Sequence, residues 1–295
     1  MKKKLTAYLA WAFGIAWILQ VTAAILLRRG YAMAYTGVLS VSMFAPMAAG
    51  LLSGAGLKGL GWKPRLRGNL RYLAAAWFLP AVLGTLGAAL FFVLFPASFD
   101  TSMSYLVASL GPEGVAQMEN SGMSLPMYAV SACLASCLWA PWFNMLFALG
   151  EEAGWRGVMN PMLKEKLGSV KGRLVSGVIW GIWHWPIMIL AGYEYGSNYW
   201  GAPVTGPLTF CVITIAMGTL LDWLYERSGS VWYPALCHGA INAFAGIPTL
   251  FLAPAYSNWL LLGPLMIGLI GGLPLIVTAA FLLLRLSARD KGNCE

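Results

Sequence analysis

Eight apolar runs divide this chain, near residues 5–27, 31–53, 72–96, 125–152, 174–192, 204–225, 231–252 and 260–284. Coiled as a helix at about 1.5 Å per residue, each is long enough to cross roughly 30 Å of hydrocarbon. The pattern predicts an all-α fold, a polytopic transmembrane helical bundle of about eight membrane helices. The first run follows Lys2, Lys3 and Lys4. Its apolar stretch exceeds that of a usual secretory signal and has no clear small-residue cleavage site, so it is read as a retained helix. The longest connection, about 97–124, holds Leu106, Val107 and Leu110 among glycines and acidic residues and is expected to form a short surface helix. With no internal repeat or linker, the chain reads as one integral membrane domain over 1–295.

Composition sharpens this picture. Hydrophobic residues make up 59% of the chain and charged residues only 10%, with a mean hydropathy of +0.69. Soluble domains run near 45–50% apolar and about 25% charged, so a soluble fold is excluded. Of the 19 Lys and Arg residues, only Arg28 and Arg29 fall on one side of the predicted topology, where the loops also carry Asp100, Glu113, Glu119 and Glu194. Cytoplasmic loops retain basic residues, which places both termini on the cytoplasmic side. The net charge of +8 is then a topology signal, aided by anionic lipid. The lipid bilayer is the expected partner, and no nucleic-acid motif is present. The five cysteines, Cys133, Cys137, Cys211, Cys237 and Cys294, form no CxxC pair and read as small buried hydrophobes.

Ionisable groups at membrane depth are costly and mark functional cavities. Glu151 and Glu152 close the fourth run, and Arg156 follows Glu152 by four residues, so those two can pair on one helical face. Glu151 is turned about 100° away and is left free for other work. His184 lies about ten residues into the fifth run, roughly 15 Å deep. Pro186 removes a backbone donor beside it and is expected to kink the helix there. His238 sits roughly 10 Å deep in the seventh run, with Asn242 on the same face at i, i+4. The only two histidines, an asparagine and two glutamates therefore converge at similar depth, within a core of about 125–252. The topology that brings them together was set by Lys and Arg alone.

Such a cavity has the groups needed to hydrolyse an amide. A carboxylate takes a proton from water, imidazole positions that water or passes the proton on, and imidazole and carboxamide N–H groups hold the developing oxyanion. A Ser-His-Asp or Cys-His arrangement is lacking; Cys237 adjoins His238, but helical neighbours point about 100° apart.

Glu151-Glu152-x-x-x-Arg156, Trp180-x-x-x-His184 and His238-x-x-x-Asn242, in that order on successive membrane helices, resemble the motifs of the CPBP (Abi) family of intramembrane proteases. That family includes type II CAAX prenyl endopeptidases and bacteriocin-processing or self-immunity proteins. The motifs span about 151–242; the outer helices match only in hydropathy and number. The resemblance implies that Glu151 activates water with His184, that His238 and Asn242 stabilise the oxyanion, and that Glu152 and Arg156 support the site. Trp180 stands where the family more often has Phe, a change expected to alter little. A divalent metal such as zinc on Glu151, His184 and His238 is the variant mechanism; without HExxH or another local two-His pair, glutamate-activated water is favoured. The resemblance further implies a membrane-associated or lipidated protein or peptide substrate and a place in a bacterial or archaeal plasma membrane. The alternatives from other classes are a non-proteolytic immunity or scaffold protein and a small-solute transporter. The interrupted, repeated halves of a transporter are not found.

Overall fold

A computed structural model describes residues 2–292. Met1 and residues 293–295, with Cys294, lie outside what is described, as do the side chains of residues 288–292, among them Arg289, Asp290 and Lys291. The elements are α1 Lys2–Arg28, α2 Ala32–Ser42, α3 Ala45–Leu52, α4 Leu70–Leu94, α5 Ser104–Asn120, α6 Leu125–Leu138, α7 Ala140–Gly154, α8 Asn160–Leu167, α9 Ser169–Trp183, α10 Trp185–Ala191, α11 Thr205–Ser228, α12 Trp232–Phe244 and α13 Leu273–Gly292. Among the described residues there is no strand, only one isolated bridge between Phe99 and Leu252. The fold is an all-α polytopic bundle, and the chain is an integral multi-pass membrane protein.

α1 shows why these helices belong in lipid. Tyr8, Ala12, Ala16, Gln20 and Ala24 recur every fourth residue and are buried, whereas Trp17, Ile18, Val21 and Ile25 are exposed on the outer surface. Small residues face the protein and large apolar ones face away, the arrangement that close helix packing in a membrane favours. Gly177 of α9 shows the same constraint: a Cβ there would lie 2.4 Å from the Cα of Ile215 on α11.

Five segments are long and apolar enough to span a membrane: Lys2–Arg28, Ala32–Leu52, Leu70–Leu94, Ser169–Ala191 and Thr205–Ser228. A sixth arises if α5 and α6, bent by 89°, count as one broken span. The run at 125–152 is two helices, α6 and α7, parted at Trp139 just before Pro141. The run at 231–252 is helical only to Phe244 and continues as 3₁₀ turns; the last run is a series of turns until Leu273. α7 and α12, at 15 and 13 residues, fall short of the ~20 residues a spanning helix needs. They lie against each other with α11 beside α12 and α4 and α3 packed around them, so both are short, with α12 largely buried and α7 exposing Phe143 and Leu146 on its outer face. The surface helix expected within 97–124 is α5.

At the basic end, α8, α9 and α11 are pinned by ion pairs around Asp222, which is fully buried. Its carboxylate takes Arg173 Nε at 2.6 Å, Lys164 Nζ at 2.9 Å and Asn160 Nδ2 at 3.0 Å. Breaking such a buried pair typically costs about 3–5 kcal/mol, which makes this cluster a structural clasp.

The basic-residue count predicts that the loop at 54–71 faces the cytoplasm. A single cysteine at Lys63 in an otherwise cysteine-free chain should resist an impermeant maleimide in intact cells and react after permeabilisation. Labelling in intact cells would reverse the orientation.

Candidate active site

The last turn of α7 carries Glu151 and Glu152 against its neighbours because glycines let backbones meet. A Cβ at Gly154 would sit 2.4 Å from Pro46 of α3, and one at Gly239, next to His238 on α12, would sit 2.5 Å from the Pro141 carbonyl oxygen of α7. After Gly154 the backbone widens into a π-turn over Trp155–Met159, a distortion found often at functional sites.

Both carboxylates are buried, and each has its own partners. Glu152 Oε1 accepts from Arg156 Nη1 at 3.2 Å, the pair expected from the i, i+4 spacing, and from His238 Nδ1 at 2.8 Å. Glu151 is not left free. Its Oε2 accepts the indole N–H of Trp155 at 3.1 Å and that of Trp180 at 2.7 Å.

Trp180 thereby corrects the expectation that its replacement of Phe alters little. Its N–H holds Glu151, a bond no phenyl ring can make. The guanidinium carbon of Arg156 lies 4.4 Å from the centre of its ring, and its edge meets the His238 imidazole with centroids 5.3 Å apart. Its backbone carbonyl accepts from His184 Nδ1 at 2.9 Å. Glu151, Arg156, His184 and His238 thus all touch one residue, and Glu152 joins them through Arg156 and His238.

His184 occupies the break that Pro186 foretold: α9 stops at Trp183 and α10 starts at Trp185. A carbonyl accepts only, so His184 carries its proton on Nδ1 and turns Nε2 to other uses. Gln20 of α1 stabilises the break by donating to the Trp183 carbonyl at 3.0 Å and accepting from the Ile187 N–H at 3.4 Å. Tyr8, also on α1, meets the edge of Trp155 at 6.1 Å. The sequence pattern missed both residues, although a glutamine inside an apolar run was a signal available to it. Asp222, inside another run, was a second.

Asn242 is not drawn into this cluster. It lies one turn beyond His238, exposed, with no side-chain hydrogen bond among the described residues. Nor do Glu151, His184 and His238 form a metal centre as arranged. Among the described residues no three His, Cys, Asp or Glu side chains gather to hold an ion. One oxygen of Glu151 is taken by indoles, and Nδ1 of each histidine by an oxygen acceptor.

Beyond His184, the Tyr193 ring lies parallel to the imidazole with centroids 6.5 Å apart. The next residue, Glu194, sits in the α10–α11 connection with φ of +74°. It lines a cavity of about 280 Å³ with Ile241 and Phe244 of α12. Burial in these apolar surroundings pushes its carboxyl up to about 7, against a lowering hydrogen bond from Tyr193.

The all-α membrane bundle thus brings together paired glutamates, a histidine at a helix break and a second histidine on a neighbouring helix. Residues 123–244 match the family described as type II CAAX prenyl endopeptidase, Rce1-like, a range that contains all seven residues named in the motifs. The chain is also 28% identical over 99 residues to CAAX prenyl protease 2 of the archaeon Methanococcus maripaludis. That similarity covers 33% of this chain, and the chain spans only about a third (36%) of the relative's length. Over 123–244 the chain is thus similar to Rce1-like type II CAAX prenyl endopeptidases.

Glu194 holds its proton more tightly folded than unfolded, where the ordinary value is 4.5. Its contribution to stability is therefore complete below about pH 4.5 and is lost as pH rises through about 7. Thermal melts of E194Q should decline less steeply than wild type over that window and lie higher at about pH 8. Equal slopes would show that the carboxyl is solvated in the folded protein.

Proposed function

We propose that this protein is an intramembrane endopeptidase of the CAAX prenyl endopeptidase type. It hydrolyses a peptide bond of a membrane-associated, lipidated protein or peptide by glutamate-activated water. The observation that carries the reading is the pair of buried carboxylates with different partners, one held by two neutral indole donors and one by a guanidinium and an imidazole.

In this mechanism Glu151 is the general base. Two indole N–H groups fix one of its oxygens, so the second is aimed and remains available to take a proton from water. The hydroxide adds to the scissile carbonyl carbon, whose π electrons move onto oxygen. His184, fixed by the Trp180 carbonyl, uses Nε2 to position the water and hold it in line. His238, when both ring nitrogens carry a proton, and Asn242 supply donors to the oxyanion; the hydrogen bond from Nδ1 to Glu152 orients the His238 ring, and Asn242 reaches the substrate from the exposed side of α12. When the tetrahedral species collapses, the C–N bond breaks and the proton held by Glu151 passes to the leaving amine. Glu152 and Arg156 act on the reaction through His238 and Trp180, as positioning residues. Three buried polar atoms here lack protein partners, Glu152 Oε2, Arg156 Nε and the Tyr8 hydroxyl. Groups of this kind are satisfied by water or by substrate.

The decisive variant is E151Q, which keeps size and donor contacts while removing the base. Reconstituted in liposomes with a farnesylated peptide, it should lose on the order of a thousandfold in kcat, within the usual range for a general base, while inserting and melting like wild type. Retention of activity within a few-fold would end the proposal and return the non-catalytic readings to favour.

Removal of metal separates the two ways of activating water. An exhaustively chelated enzyme should keep most of its activity under the glutamate mechanism. Complete loss restored by stoichiometric Zn²⁺ would transfer activation to a metal, which lowers the pKa of bound water to about 7.

A further inference from the structure

The basic end of the bundle has a second opening, away from the carboxylates. Arg71 in the first turn of α4, Arg227 in the last turn of α11 and Arg285 late in α13 line one cavity of about 470 Å³, walled by Tyr72, Trp223 and Phe281. The three arginines are far apart in sequence and meet because α4, α11 and α13 pack on one another.

These three arginines are exposed at the surface and are differently placed from the cations that pair inside the bundle nearby. Lys164 and Arg173 are neutralised by Asp222 and Glu226. Glu226 immediately precedes Arg227 but points to the other face of α11. Among the described residues none of the three cavity arginines has an ion-pair partner. Arg71 instead donates to the Tyr72 hydroxyl at 3.0 Å and lies 4.7 Å from that ring's centre, and Arg285 lies 4.4 Å from the centre of Phe281. Aromatic contacts orient the Arg71 and Arg285 guanidiniums without cancelling their charge, and with Arg227 they place three like charges around one space. Water and salt screen their mutual repulsion, and an anion bridging them would relieve what remains. Guanidinium forks match phosphate oxygens. The surrounding surface, moreover, is apolar and outward-facing: Phe281 in the wall is 51% exposed, and Leu70 and Leu284, the sequence neighbours of Arg71 and Arg285, are 66% and 70% exposed.

We propose that this cavity is a binding site for the phosphate of an anionic phospholipid, with the acyl chains lying along Phe281 and Leu284. Basic pockets between membrane helices take acidic head groups in this way. The site is independent of the peptidase reading, since none of its residues touches the carboxylate cluster.

The test uses the full-length protein in nanodiscs containing equal phosphatidylglycerol and phosphatidylcholine, released into native mass spectrometry, with inorganic phosphate as a competitor in a second arm. One retained phosphatidylglycerol is expected. At about fivefold per basic residue, the R71Q/R227Q/R285Q variant should bind it on the order of a hundredfold more weakly, and the matching triple lysine variant should recover part of the loss. Melting in pure phosphatidylcholine verifies the fold; if the triple variant fails there, R227Q alone, with a loss of about fivefold, decides. Equal retention of the two lipids, or glutamine variants that bind like wild type, would overturn the proposal. Displacement by millimolar inorganic phosphate would also overturn it, assigning the cavity to a soluble anion.

Discussion

Two adjacent carboxylates sit at the buried end of α7, and the packing around them follows from the need to satisfy both. A charge removed from water must find partners or it destabilises the fold. Glu152 is held by Arg156 from its own helix and by His238 from α12, which ties α7 to α12. Glu151 is held by Trp155 and by Trp180, which ties α7 to α9. Trp180 closes the circle by offering its ring to Arg156 and His238 and its carbonyl to His184. The close helix contacts at Gly154 and Gly239 allow these bonds to form at ordinary lengths.

Much of this was legible in the sequence because polar residues are rare in it. With only two histidines and a 10% charged fraction, Glu151, Glu152, His184 and His238 stood out from an apolar background. Pro186 located the helix break. The pairing of Glu152 with Arg156 lies within one helix, where spacing fixes geometry. Contacts between helices leave no such periodic mark. That Trp180 donates to Glu151 depends on the side-by-side packing of α7 and α9, and the roles of Tyr8 and Gln20 depend on which face of α1 turns inward. Hydropathy also could not show that the run at 125–152 is two helices, since Trp139 and Pro141 interrupt the backbone without interrupting the apolar character. Asn242 shares a helical face with His238 by spacing, yet one turn is enough to carry it from the buried cluster to the exposed side of α12.

The polar groups fall into zones with different physical roles. Around Asp222 the charges are fully paired and clasp α8, α9 and α11. Around Glu151 and Glu152 they are paired in part, leaving Glu152 Oε2 and Arg156 Nε buried without a protein partner. At the mouth formed by Arg71, Arg227 and Arg285 positive charge is held by aromatic rings at the edge of an apolar surface. The same bundle thereby keeps fully paired, partly paired and surface-exposed charges in separate places.

The central claim, that the Glu151 carboxylate is clamped between two indole N–H groups, can be read without any assay of activity. In protein labelled with ¹⁵N-tryptophan, W155F and W180F assign the two indole resonances. On replacement of Glu151 by Gln, both should move upfield as their charged acceptor disappears, while the indoles of Trp77, Trp183 and Trp232, bonded to backbone carbonyls, stay in place. Resonances of Trp155 and Trp180 that do not respond to the loss of Glu151 would contradict the account.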